Sequence, residues 1–137
     1  MVGKPCFIAI VDDDAPVLKA LKRLLCGRGF EVATYMSARE FLQALPESRV
    51  DRLILDLQMP DMDGYELLRH LKHEGIDVPT IVITAHAGEG VATRCRTHGA
   101  IAFLSKPLQL APLLAAIEKA RCEAEGGQHS VAERGCR

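Results

Sequence analysis

The run Leu53-Ile54-Leu55-Asp56-Leu57-Gln58-Met59-Pro60-Asp61-Met62-Asp63-Gly64 decides the fold. Leu53 to Leu55 form an unbroken apolar stretch, the pattern of a strand buried on both faces. Met59-Pro60 and Asp63-Gly64 are turn signals that stop the strand and send the chain back over the sheet. Asp56 therefore stands where a buried strand emerges, which is where open α/β sheets gather their chemistry. A carboxylate there serves as a nucleophile, as a metal ligand or merely as a strand terminator. Residues 53–64 alone leave all three open.

On the N-terminal side, Cys6-Phe7-Ile8-Ala9-Ile10-Val11 is a second continuous apolar run, and it ends in Asp12-Asp13-Asp14. Asp14 can cap a helix whose first turn accepts Pro16, with Leu18, Leu21, Leu24 and Leu25 at helical spacing and Gly27 and Gly29 as terminators. Phe30 to Tyr35 reads as a short strand. Ser37-Ala38-Arg39-Glu40 is a capping-box pattern ahead of Phe41, Leu42 and Leu45, and Pro46 closes that helix.

On the C-terminal side, Leu67, Leu68 and Leu71 define a helix that starts at Tyr65 and closes near Gly75. Val78-Pro79-Thr80-Ile81-Val82-Ile83-Thr84 is a strand rich in β-branched residues, with Pro79 confined to its start. Residues 85–99 differ. Gly88, Gly90, two arginines and His98 leave only Val91, Ala92 and Cys95 as apolar contacts, which predicts a weakly anchored helix behind a mobile loop. Ile101-Ala102-Phe103-Leu104 is a fifth strand, followed by Ser105-Lys106-Pro107. A final helix carries Leu113, Leu114, Ile117 and Ala120.

Five strands alternating with five helices predict a doubly wound α/β domain over residues 1–122, its parallel strands joined by right-handed crossovers. Residues 123–137 are polar and glycine-containing without apolar period, and are expected to be a disordered tail.

Composition narrows the function classes. The chain has 137 residues, 48% hydrophobic and 26% charged, with 17 Lys+Arg against 18 Asp+Glu. A net charge of −1 lacks the basic patch that direct nucleic-acid binding demands. No apolar run is long enough to span a membrane, and no secretion signal is visible. Cys6, Cys26, Cys95, Cys122 and Cys136 are odd in number and irregularly spaced, which fits reduced thiols in a cytoplasmic protein better than a disulfide framework or a zinc site.

Four of the five expected strands finish in residues that chemistry could use: Asp12 and Asp13, then Asp56, Thr84 and Lys106. A parallel sheet brings these ends to one edge. Three neighbouring carboxylates repel, and with Lys106 beside them about two negative charges remain, which one divalent cation would neutralise. An oxygen-only site without His or Cys favours a hard ion, and Mg²⁺ is satisfied by a few carboxylates plus water. Lys106 and Thr84 suit phosphate oxygens as point charge and hydrogen-bond donor, and a carboxylate attacking phosphorus there gives an aspartyl phosphate.

Val11-Asp12-Asp13-Asp14, Leu55 to Gly64, Ile83-Thr84-Ala85 and Phe103-Leu104-Ser105-Lys106-Pro107, in this order and spacing, resemble the receiver domain of bacterial two-component response regulators. The resemblance covers roughly residues 5–122. It implies a flavodoxin-like fold with strand order 2-1-3-4-5, as in the chemotaxis member of that family. It implies that Asp56 accepts a phosphoryl group from a sensor histidine kinase or phosphotransfer protein. Mg²⁺ would then be held by the carboxylates of Asp13 and Asp56, by Asp12 through metal-bound water, and by the backbone carbonyl of Gln58. Lys106 would bridge to the phosphoryl group, and the Lys106–Pro107 bond would be cis. Thr84 and Phe103 would form the switch that alters a surface around the fourth helix and fifth strand. Phe103 stands where many members have Tyr, so a switching contact that needs a phenol hydroxyl is absent while ring burial is retained.

The implied protein is a phosphoacceptor rather than an enzyme, limited to self-phosphorylation and autodephosphorylation. Its readers would be a downstream protein partner, an output domain missing from this chain, or a second copy in a phosphorylation-linked homodimer. It would touch neither nucleic acid directly nor a membrane. Two other readings use some of the same residues. An aspartate-based phosphohydrolase would need a cap insertion and a substrate pocket that this length does not provide. A degenerate receiver acting as a phosphorylation-independent binding module would lack Asp56, Lys106 or one of the acid pair. Asp61 and Asp63 read as solvated loop acids, and His86 as a rim residue near the site mouth.

Overall fold

The structure, a computed structural model, describes residues 6–127, with side chains through Lys119. Strands Phe7–Val11 (β1), Glu31–Tyr35 (β2), Arg52–Asp56 (β3), Thr80–Thr84 (β4) and Ala102–Ser105 (β5) alternate with five helices. These are Ala15–Cys26 (α1), Ala38–Ala44 (α2), Gly64–His73 (α3), Val91–Thr97 (α4) and Leu110–Gly127 (α5). All strand pairs are parallel, in the order β2-β1-β3-β4-β5. The expected doubly wound, flavodoxin-like sheet is what the chain forms.

Each apolar run earns its continuity by being covered twice. Every residue of β3 and β4 is buried, whereas the edge strands β2 and β5 are partly exposed. Ile8, Ile10, Ile54, Ile81 and Ile83 face α1 and α5 and pack with Leu18, Leu21, Leu25, Leu113 and Ile117. Ala9, Val11, Leu53, Leu55 and Val82 face the opposite layer, with Phe41, Leu67, Leu68, Leu71 and Cys95. The period-2 alternation of a strand thus feeds two cores, and both demand apolar side chains.

Local signals set where the helices start. Asp14 caps α1 by accepting from the Val17 backbone nitrogen at 3.3 Å, and Pro16 lies in the first turn. Ser37 caps α2 by accepting from the Glu40 nitrogen at 3.1 Å. The Glu40 carboxylate reaches back to the Met36 nitrogen at 2.9 Å, one residue ahead of the cap. A fully reciprocal capping box occurs instead on α3. There Asp63 accepts from the Glu66 nitrogen at 3.0 Å, and Glu66 accepts from the Asp63 nitrogen at 2.8 Å. Asp63 is therefore a helix cap and not the solvated loop acid expected from the sequence.

The turn after β3 falls where Met59-Pro60 and Asp63-Gly64 signal it. Its left-handed residue is Asp61 at φ 67°, not Gly64. Gly64 is the first residue of α3, and a Cβ there would lie 2.8 Å from the Leu57 Cα. The glycine is needed so that the helix start can press against the strand end. At the C-terminus, α5 runs through Gly127, past the boundary expected at residue 122. The remainder of the expected tail lies outside the described residues.

Candidate functional site: an acidic cluster at the strand ends

Sheet register brings the site together. Val11 is paired with Leu55, so Asp12 is level with Asp56 at the end of β3. Asp56 is paired with Ile83, and Thr84 with Ser105, which sets Thr84 one step and Lys106 two steps further along the same edge. The residues singled out by their place after apolar runs are neighbours in space.

Asp12, Asp13 and Asp56 each offer a carboxylate oxygen, and these atoms lie within 4.8 Å of one another. Asp12 and Asp56 are buried and Asp13 is exposed, so the cluster opens to solvent on one side. Lys106 reaches into it, with Nζ 2.9 Å from Asp12 Oδ2 and 3.7 Å from Asp56 Oδ1. The Lys106–Pro107 bond is cis. The Asp12 carboxylate also accepts from the Asp14 nitrogen at 3.0 Å, so one acid closes the turn that starts α1. The Gln58 nitrogen lies 3.4 Å from Asp56 Oδ1.

The electrostatics follow from this crowding. Burial, with the Asp12 charge adding to it, pushes the Asp56 carboxyl up from 3.8 to about 7, against the opposing pull of Lys106. Burial works against the Lys106 ammonium, but Asp12, Asp56 and Asp14 outweigh it and hold the lysine above its ordinary value. Lys106 therefore stays charged. Asp56 is held near the point where it can be either protonated or ionised, and a further positive charge would favour the carboxylate.

The donor set fits a hard divalent cation: three carboxylates, no nitrogen or sulfur ligand among the described residues, and an excess of negative charge beyond what Lys106 offsets. The placement of Thr84 is equally specific. It is fully buried at the end of β4, and its hydroxyl oxygen accepts from the His86 nitrogen at 3.1 Å. His86 bridges back across the mouth, its Nδ1 2.5 Å from the Gln58 side-chain oxygen. Phe103 is only partly buried and packs against the core that contains Val82 and Cys95.

Three features of the surroundings were missed in the sequence. The Asp63-Gly64-Tyr65-Glu66 box has the same spacing as Ser37 to Glu40 and was readable by the same rule. Arg52 lies buried in β3, donating from Nε to the Ile117 carbonyl at 3.3 Å and from Nη1 to Cys6 Sγ. Arg94 stacks over the Tyr65 ring at 3.8 Å. Neither arginine contact has a local sequence signal, because its partners come from distant segments.

Comparison with known proteins agrees with this geometry. The family model of the response regulator receiver domain matches residues 8–118. The transcriptional regulatory protein FixJ of Rhizobium meliloti is 42% identical over 113 residues, covering 82% of this chain and 55% of that protein. The DNA-binding transcriptional regulator NtrC of Escherichia coli K12 is 35% identical over 111 residues, 81% of this chain and 24% of its own length. The chain thus spans about half, or less, of these relatives. The crystal structure of FixJ-N superposes with a TM-score of 0.79 at 41% identity, covering 85% of this chain and 94% of that one. A receiver-domain structure from Clostridium thermocellum gives 0.83 at 30% identity, covering 90% and 99%. With its acids, threonine and lysine gathered on one sheet edge, the chain belongs to the receiver domain family of two-component response regulators.

Proposed function

We propose that this receiver domain takes a phosphoryl group onto Asp56 in a Mg²⁺-dependent reaction. The observation that carries the reading is the meeting of Asp56 with Asp12, Asp13 and Lys106 at one strand edge. The donor would be a phosphohistidine on a sensor kinase or phosphotransfer protein. An ionised Asp56 oxygen attacks phosphorus, the P–O bond forms as the P–N bond breaks, and the imidazole leaves with the electron pair and picks up a proton.

The residues that would hold Mg²⁺ are Asp12, Asp13, Asp56 and the backbone carbonyl of Gln58. When bound, the ion supplies charge neutralisation for the carboxylates and for the incoming phosphoryl oxygens. The chain's own residues do the rest. Lys106, kept charged by its acidic neighbours, offers its ammonium to a phosphoryl oxygen. Asp12 holds Lys106 in place for that contact. Thr84 exchanges its bond from the His86 nitrogen for one donated to the phosphoryl group. His86 and Gln58, joined across the mouth, limit the approach of water.

Phosphorylation replaces one carboxylate charge with a group bearing about two charges and three acceptor oxygens. Movement of Thr84 toward it opens space that the half-buried Phe103 ring can occupy, and α4 and β5 repack. The output is a changed protein surface there, read by a partner, by an output domain of a longer regulator, or by a second copy of the chain. The setting would be the cytoplasm. Among the described residues no helix is long and apolar enough to cross a membrane. The alternative of a degenerate receiver is not supported, since the acceptor, the acid pair and the lysine all meet.

Intact-mass measurement after incubation with Mg²⁺ and a small phosphodonor is the direct test. Expected is the gain of one phosphoryl group, lost in Asp56→Asn. An unchanged mass, or undiminished gain in the variant, would overturn the proposal. Lys106→Ala is expected to accept phosphate but to signal poorly, as read by partner binding or self-association. A normal response would remove Lys106 from the switch.

A further inference from the structure

Helix α4 has few anchors of its own. It is 7 residues long, only Cys95 is buried, and its cap Gly90 sits at φ 82° with no side-chain hydrogen bond. What it does have is a convergence on one ring. The Arg94 guanidinium stacks over Tyr65 at 3.8 Å from the ring centroid. The His98 ring leans on the same aromatic at 5.7 Å between centroids. The Cys95 thiol lies close enough to the Tyr65 hydroxyl that each bears on the ionisation of the other. Arg94 and His98 are one helical turn apart, so both face the ring with Cys95 between them.

Tyr65 itself is rigidly mounted. It follows Gly64, whose backbone nitrogen donates to the Leu57 carbonyl at 2.9 Å and whose missing Cβ lets the two backbones touch. It lies inside the Asp63–Glu66 capping box. Leu57 is the residue directly after Asp56. The ring is therefore fixed to the strand that carries the acidic cluster while it grips the most thinly anchored helix. Beside it lies an open groove of about 550 Å³, lined by Thr84, His86 and Val91 together with Tyr65 and Arg94, so α4 is not packed against solid protein along this side.

We infer that Tyr65 is a latch: through Arg94, Cys95 and His98 it holds α4 in its resting position and sets how readily the helix leaves it. Its consequence for signalling rests on the proposed switching role of α4. The latch itself is a property of the unphosphorylated protein, and can be measured without phosphate.

The test is amide hydrogen exchange on the full unphosphorylated chain, comparing α4 with β3. Arg94→Ala removes an exposed side chain and leaves the core intact. It is expected to speed exchange in α4 about two- to fivefold, the worth of an exposed cation–π contact. Tyr65→Ala removes all three contacts, for an increase of about tenfold or more. Tyr65→Phe keeps the ring and should fall below Tyr65→Ala. In each variant β3 should exchange at the wild-type rate. Wild-type exchange of α4 in both alanine variants, or equal acceleration of α4 and β3, would overturn the latch. Failure of the wild type to take up phosphate would overturn the proposed function and leave the exchange result standing.

Discussion

Helices α3 and α4 lie on the same face of the sheet and border the same groove beside Thr84, yet they are held in different ways. The 10-residue α3 buries Gly64, Leu67, Leu68 and Leu71 and is capped reciprocally by Asp63 and Glu66. The 7-residue α4 buries Cys95 and has a glycine at its cap. A charge change at Asp56 would reach both, but a few kcal/mol is a large perturbation for a helix as thinly anchored as α4 and a small one for α3. Under the proposed phosphorylation of Asp56, the difference would allow one site to keep its ligand geometry on the rigid side while its message leaves through the loose side. It also explains why the thinly anchored helix is the one held by polar and aromatic contacts, which can be broken and remade more cheaply than a packed apolar face.

Unequal truncation is the strongest way to break this comparison. Leu67→Ala is expected to lower unfolding stability by about 2–5 kcal/mol, as for other fully buried leucines. Cys95→Ala removes less volume and should cost less than half of that by chemical denaturation. Equal losses would mean that α4 is as deeply anchored as α3.

A second effect, on the order of 4 kcal/mol, concerns the rigid side and its charge. The Asp56 carboxyl is raised from 3.8 to about 7 in the fold. Between those values the folded state keeps a proton that the unfolded chain has released, so stability falls as pH rises, and the penalty is complete above about 7. Without divalent cations, Asp56→Asn should therefore raise the unfolding midpoint on the alkaline side of this window and lose that advantage on the acid side. A pH-independent difference would contradict the assignment of the strain to Asp56.

Smaller effects sharpen the contrast. Asp63→Ala removes the reciprocal cap of α3 and is expected to cost about 1 kcal/mol. Arg94→Ala should change global stability by about 0.5 kcal/mol or less, because its contact with Tyr65 restrains α4 locally. A global loss as large as that of Asp63→Ala would place Arg94 in the core of the fold's stability.

Much of this was legible in the sequence because it is written in local pattern. The unbroken runs ending at Val11 and Asp56 predicted buried parallel strands, and the polar residues after them predicted the cluster, since parallel strands share one functional edge. The thinness of residues 85–99 was visible as a lack of apolar residues. What escaped depends on approach between segments far apart in the chain. Gly64 read as a turn glycine, and only the contact with Leu57 shows that it is there for closeness. Asp63 reads as one more loop acid, although its spacing to Glu66 is a cap signature. The Tyr65–Arg94 stack and the buried Arg52 have no sequence period at all.

The most direct test of the division between the two sides is hydrogen exchange on the phosphorylated and unphosphorylated protein in Mg²⁺. Altered exchange is expected in α4 and β5, with α3 and β3 unchanged. A change shared equally by α3 and α4, or none in α4 when Asp56 is fully phosphorylated, would contradict it.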